Sequence, residues 1–231
     1  MPRGTTKRRP ATIAALLDAA WELFAEQGFA ATSIPDICAR AELTKGAFYS
    51  NFADKDALFL ALFDRQWRTR ADRVRHALPT GRELSRILDG EADLPLAAME
   101  PDRRWVLVSM EFTLHAIRTP PVAVLLAEHE ARGRAELTAA LTAALDASGH
   151  TPAIPAHELV RLLVALAEGC DIQALTEQAA TGVAPADLTA KALTTVVRHL
   201  STPHAESAES SRRATPSPAA EPTDPTEEVR P

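Results

Sequence analysis

Gly28-Phe29-Ala30-Ala31-Thr32-Ser33-Ile34-Pro35-Asp36-Ile37-Cys38-Ala39-Arg40-Ala41-Glu42-Leu43-Thr44-Lys45-Gly46-Ala47-Phe48-Tyr49-Ser50-Asn51-Phe52-Ala53-Asp54-Lys55 is the stretch whose reading decides the fold. Ser33 N-caps a short helix that tolerates Pro35 in its first turn, and Ile34, Ile37 and Cys38 form its inner face. Ala41-Glu42-Leu43 is a turn, and Thr44 caps a second short helix. Phe48 and Phe52, four apart, point into a small core, whereas Tyr49, the only tyrosine in the chain, lies on the outer face. Two short helices joined by three or four residues form a helix-turn-helix, whose second helix enters the major groove of DNA. Lys45 and Lys55 each open a helix, where a cation opposes the macrodipole. A DNA phosphate reverses that sign, because helix N-termini and lysines both attract anions.

Upstream, residues 1–9 carry four cations and no anion, which predicts a flexible basic arm. From Pro10, Ile13, Leu16, Leu17, Ala20 and Phe24 repeat with helical spacing, and Gly28 stops the helix. Downstream, Asp54 caps a long helix over 55–76, ended by Pro79. A short helix is expected over 82–88, with longer ones near 102–118, 121–147, 156–180 and 186–200, set off by Pro- and Gly-containing turns. Residues 202–231 hold six prolines and six acids but one large aliphatic, Val229, and are expected to be a disordered tail. The resulting division is arm 1–9, DNA-binding domain 10–55, helical body 56–201 and tail 202–231.

Hydrophobic residues make up 46% of the 231, with 9 glycines, which favours an all-α fold over sheets. No apolar run approaches the 18 residues of a membrane span, no secretory leader is evident, and the cytoplasm is the expected location. Cys38 and Cys170 lie 132 positions apart, neither a disulfide framework nor a metal-ligand spacing. The net charge of −6 hides an asymmetry: residues 1–75 carry 12 Lys/Arg against 9 Asp/Glu, the remainder 13 against 22. A basic first third on an acidic body suits a module that meets phosphates. No phosphate-cradling glycine loop, Cys-x-x-Cys or His-Glu-x-x-His is present, so no catalytic residue, metal or cofactor is expected.

From Ile13 to about Phe63 the chain resembles the tetracycline-repressor (TetR) family of transcriptional regulators. The resemblance is carried by Ala19-Ala20, Leu23-Phe24, Gly28-Phe29, Thr32-Ser33-Ile34, Asp36-Ile37, Thr44-Lys45-Gly46-Ala47-Phe48-Tyr49, Phe52 and Lys55-Asp56-Ala57-Leu58-Phe59. It implies a three-helix head, a linking fourth helix, and a larger helical body that dimerises and binds a small molecule. Lys45, Gly46, Ala47 and Ser50 then fall where family members contact bases. Thr32, Thr44, Tyr49, Asn51 and Lys55 fall where they contact phosphates, with Ser33 beside them. Lys45 can donate to guanine, and the Ala47 methyl can pack on a thymine methyl. Glu42 departs from the glycine usual in the turn; at positive φ it would cost on the order of 1 kcal/mol.

In the body the resemblance is faint, carried by Glu168-Gly169-Cys170-Asp171-Ile172-Gln173-Ala174-Leu175. It implies a homodimer through the helices near 156–180 and 186–200, using the stripes Leu159, Leu162, Leu163, Leu166 and Leu193, Val196, Val197, Leu200. An effector pocket is expected beside the fourth helix, with Trp67, Trp105, Met110, Phe112, His115, Cys170 and Asp171 as candidate linings. The expected function is a ligand-released regulator, a repressor by resemblance, binding a palindromic operator in double-stranded DNA. The alternative is a constitutive DNA-binding dimer without an effector.

Overall fold

The computed structural model describes residues 5–92, 102–183 and 188–204. Among them run nine helices: α1 Thr5–Gln27, α2 Ile34–Arg40, α3 Lys45–Tyr49, α4 Lys55–Ala77, α5 Arg82–Leu88, α6 Arg103–Arg118, α7 Pro120–Ala147, α8 Ala156–Thr181 and α9 Leu188–His199. None is long and apolar enough to cross a membrane. Side-chain caps set the starts. Ser33 and Asp36 form a capping box on α2, Thr44 Oγ1 accepts from Ala47 N (3.1 Å), and Asp54 accepts from Ala57 N (2.7 Å).

Two boundaries differ from the sequence reading. α1 begins at Thr5, so residues 5–9 are helix rather than arm, and Pro10 lies inside it. Pro10, the sixth residue of the helix, lacks the N–H that would bond to Thr6 O, and the helix continues through it. At the other end, β1 (His150–Pro152) pairs antiparallel with β2 (Ser201–Pro203), opposing His150 to Pro203. The chain is therefore ordered through His204, whose N–H donates to Gly149 O; the rest of the expected tail lies outside the described residues. Arg198 fastens the end of α9 by donating to Ile87 O (3.0 Å) and Ala92 O (3.1 Å).

The apolar side chains form two cores. The first joins α1–α4 to α6 and the start of α7, so it runs across residue 55 without a break. At its centre Phe59 of α4 stacks on Phe112 of α6 (3.6 Å, 10°), and Phe29 meets both rings edge-on. The second gathers α5, the later part of α7, α8 and α9 around Ile87, Leu145, Leu159 and Leu193. Between them α4 presses on α7 at Gly133, where a Cβ would clash with the Trp67 indole.

Candidate nucleic-acid interface and body cavity

The α2–α3 turn places α3 with one side inward and one outward. Phe48 is fully buried, while Lys45, Gly46, Tyr49 and Ser50 are exposed and Ala47 is half-buried. Tyr49 is 58% exposed and its ring stands edge-on to Phe48. The turn closes by Leu43 N donating to Cys38 O (2.9 Å) and holds Glu42 at φ 54, the strained conformation anticipated for a non-glycine there. Nothing in the chain demands glycine at 46: an added Cβ would meet only Thr44 Oγ1 at 3.7 Å.

Other expected contact residues are occupied locally. Ser33 and Thr44 serve as helix caps. Ser50 Oγ donates to Gly46 O (2.7 Å), and Asn51 Nδ2 donates to Ala47 O (2.8 Å). Thr32 is buried, its hydroxyl donating to Gly28 O (2.8 Å), so its side chain is turned inward. Lys55 departs furthest from expectation. Its ammonium donates to Phe29 O (2.6 Å) and Thr32 O (2.7 Å) and sits 4.2 Å over the Phe29 ring. Burial lowers its pKa, partly opposed by Asp56. It ties the start of α4 to the α1–α2 loop. Arg9, expected as one of the cations of the basic arm, lies beside this face on α1, where its Nε donates to Asn51 Oδ1 (3.3 Å). Continuing the α1 periodicity back through Pro10 would have placed it. Arg40 is engaged by Glu22 (3.0 Å) and Glu26 (2.9 Å), which clamp α2 to α1.

In the body a cavity of about 600 Å³ opens between α4, α6, α7 and α8. Of the expected linings it contains Trp105, Met110 and Asp171. The other four lie elsewhere. Phe112 is consumed by its stack on Phe59, and His115 Nε2 lies 3.2 Å from Asp56 Oδ1 in a separate groove at the head–body junction. Trp67 fills the Gly133 notch, and Cys170 is a buried free thiol. The cavity also holds charges that periodicity did not single out. Asp171 faces Arg70 at 3.5 Å, with Glu130 and Glu168 alongside. Burial raises the Asp171 carboxyl against the pull of Arg70; desolvation and then Glu130 raise Glu168. From the same cavity wall Glu111 reaches the head, where its Oε2 accepts from Phe29 N (2.7 Å).

The stripes expected at a dimer interface are largely spent within the chain. Leu159, Leu193 and Val197 are buried in the second core, with Leu163, Leu166, Val196 and Leu200 half-buried against it. Leu162 is 51% exposed, and an added Cβ at Gly169 would meet nothing within 4 Å.

Residues 16–62 match the family described as bacterial regulatory proteins, tetR family. The HTH-type transcriptional repressor Rv3405c of Mycobacterium tuberculosis is 37% identical over 103 residues, 45% of each chain. The A-factor receptor protein of Streptomyces griseus is 41% identical over 54 residues, 23% of this chain and 20% of that protein. This chain thus spans about half the length, or less, of these curated relatives. Among solved structures, Salmonella enterica GusR aligns with TM-score 0.60 and 23% identity, covering 82% of this chain and 95% of its own. A Saccharomonospora viridis chain solved in complex with choline gives TM-score 0.56 and 21% identity, covering 82% and 97%. At such identities the likeness is one of fold.

Proposed function

We propose that this chain, whose residues 16–62 match the tetR family of bacterial regulatory proteins, is a ligand-responsive repressor of that family. In this reading two copies bind a palindromic operator and are released by a small molecule held in the body cavity. The observation that carries it is α3, which presents Lys45 and Tyr49 outward from a helix anchored by fully buried Phe48. Lys45, Gly46 and Ala47 face bases, Gly46 letting the backbone approach closely; Tyr49 meets a phosphate. Ser33, Thr44, Ser50 and Asn51 shape this face, while Thr32 and Lys55 brace it from inside.

A second copy is supported by the outward part of α8, where Leu162 is exposed and Gly169 leaves room for a close-packed helix. A dimer reads half-sites about 34 Å apart, so a small tilt of each head breaks simultaneous docking. Phe112 and Glu111 supply the lever: both sit on α6, and both touch Phe29 of the head. An effector that favours another position of α6 shifts the balance between head arrangements. The reading as a repressor follows the name of the mycobacterial relative.

Selection of bound duplexes from a randomised pool tests the proposal and is expected to return a palindrome. On that operator Lys45→Ala should relax sequence discrimination, and Tyr49→Phe should weaken binding on all sequences alike. Unchanged affinity for both variants refutes the docking. A dimer whose operator affinity no small molecule alters is the constitutive binder instead.

A further inference from the structure

We propose that the cavity between α4, α6, α7 and α8 accepts an organic cation, an amine or quaternary ammonium carrying an apolar group. The inference rests on the effector reading and names the ligand class. The volume of about 600 Å³ falls inside the range of small-molecule sites, roughly 300–1,000 Å³. One wall is apolar and faces outward: Leu107, Met110, Leu114 and Ile117, 40%, 46%, 48% and 71% exposed, form one helical stripe along α6. Among the described residues that stripe is left largely uncovered.

The charged lining is one-sided. Glu111, Glu130, Glu168 and Asp171 border the cavity with Arg70 as the single cation among the lining residues. Asp171 is 4% exposed, and its contact with Arg70, at 3.5 Å, is longer than a good hydrogen bond. Arg134, the other guanidinium that acts on Glu168, is already paired with Glu130 (3.2 Å). A carboxylate so deeply placed and so loosely paired is stabilised by any positive charge that reaches it, and an anion is repelled. A metal ion fits poorly, because no three His, Cys, Asp or Glu groups among the described residues converge to hold one. What remains is a diffuse cation whose apolar part lies along α6. Its charge would also draw on Glu111, the carboxylate that holds Phe29 N, which connects occupancy to the head.

Calorimetric titration of the full chain with three probes of similar shape tests the class: benzyltrimethylammonium, its neutral isostere neopentylbenzene, and anionic phenylmethanesulfonate. The cation is expected to bind about tenfold or more tighter than the neutral probe, with no binding of the anion. Asp171→Asn should abolish the preference while leaving the neutral probe unchanged; Glu168→Gln, nearer the open rim, should reduce it and covers the case that Asp171→Asn does not fold. Equal or tighter binding of the neutral or anionic probe, or a preference untouched by both variants, overturns the cation proposal while leaving the effector reading standing. Saturable cation binding that leaves operator affinity unchanged does the reverse: the site stands and the effector reading falls. No binding by any probe overturns the proposed site.

Discussion

Lys55 offers the sharpest test of how the head works, because two roles for it predict opposite results. As a phosphate contact it would contribute to DNA affinity and little to folding. In the structure its ammonium donates two short bonds to Phe29 O and Thr32 O and covers the Phe29 ring. Lys55→Met keeps much of the stem and removes both donors. Hydrogen bonds to a charged group are worth about 1.5–3 kcal/mol each. The partly buried ammonium also gives up some hydration in the folded state, which offsets part of that gain. The net loss is therefore about 2–3 kcal/mol, or a Tm lower by roughly 4–12 °C for a chain of this size. The assay pairs denaturant unfolding, followed by helix signal, with operator affinity measured against salt. Lys55→Met should unfold earlier and leave the slope of log K against log salt unchanged. Unchanged stability with a slope shallower by about 0.9, the signature of one lost phosphate contact, would refute the bracing role.

Three further outcomes follow from single positions. Gly133→Ala gains helix propensity of up to about 1 kcal/mol but drives a methyl into Trp67, at a typical cost of about 1–3; a lower urea midpoint with altered tryptophan fluorescence is expected, and a raised midpoint would show the notch to be slack. Glu42→Gly relieves the positive φ and should stabilise by roughly 0.5 kcal/mol, whereas Glu42→Ala should not, although both raise operator affinity by removing an anion beside DNA. Asp36 is held below its ordinary pKa by the Ser33 hydroxyl and N–H. Its contribution is present above the unfolded-state pKa and fades as pH falls through the lower folded value, so the unfolding midpoint should drop less steeply below about pH 4 in Asp36→Asn than in wild type.

Much of the helical frame was legible because each helix carries its own signals. Ser33, Thr44 and Asp54 announce starts, and Gly28 and the Thr119-Pro120-Pro121 turn announce breaks. The β1–β2 ladder was not, since two three-residue strands, each ending in proline, show no alternation to read. The intramolecular contacts of Lys55 were hidden for a related reason: its partners are backbone carbonyls, and a carbonyl leaves no mark in a sequence. In the body, periodicity identified apolar faces but not what each would meet. Leu193 and Val197 satisfy their own core, and Phe112 serves the head rather than the cavity. Glu168 and Asp171 share a face of α8 by their i, i+3 spacing, but Glu130 of α7 and Arg70 of α4 join them only through helix packing, which no spacing along the chain encodes.

The uninterrupted first core constrains how such a protein can be recombined. A chimera spliced at the start of α4 would separate Phe29 from the Phe59 and Phe112 rings it packs against. It would also leave Glu111 facing a foreign loop. A new head grafted onto this body must therefore bring a matching α6 face, or lose the coupling along with stability. Changes of DNA target are easier at solvent-facing positions of α3 and its C-cap, such as Lys45 and Ser50, than by exchanging whole modules. Hydrogen exchange should show the same partition, with the protected amides of early α4 opening together with α6 and not with the second half of their own helix.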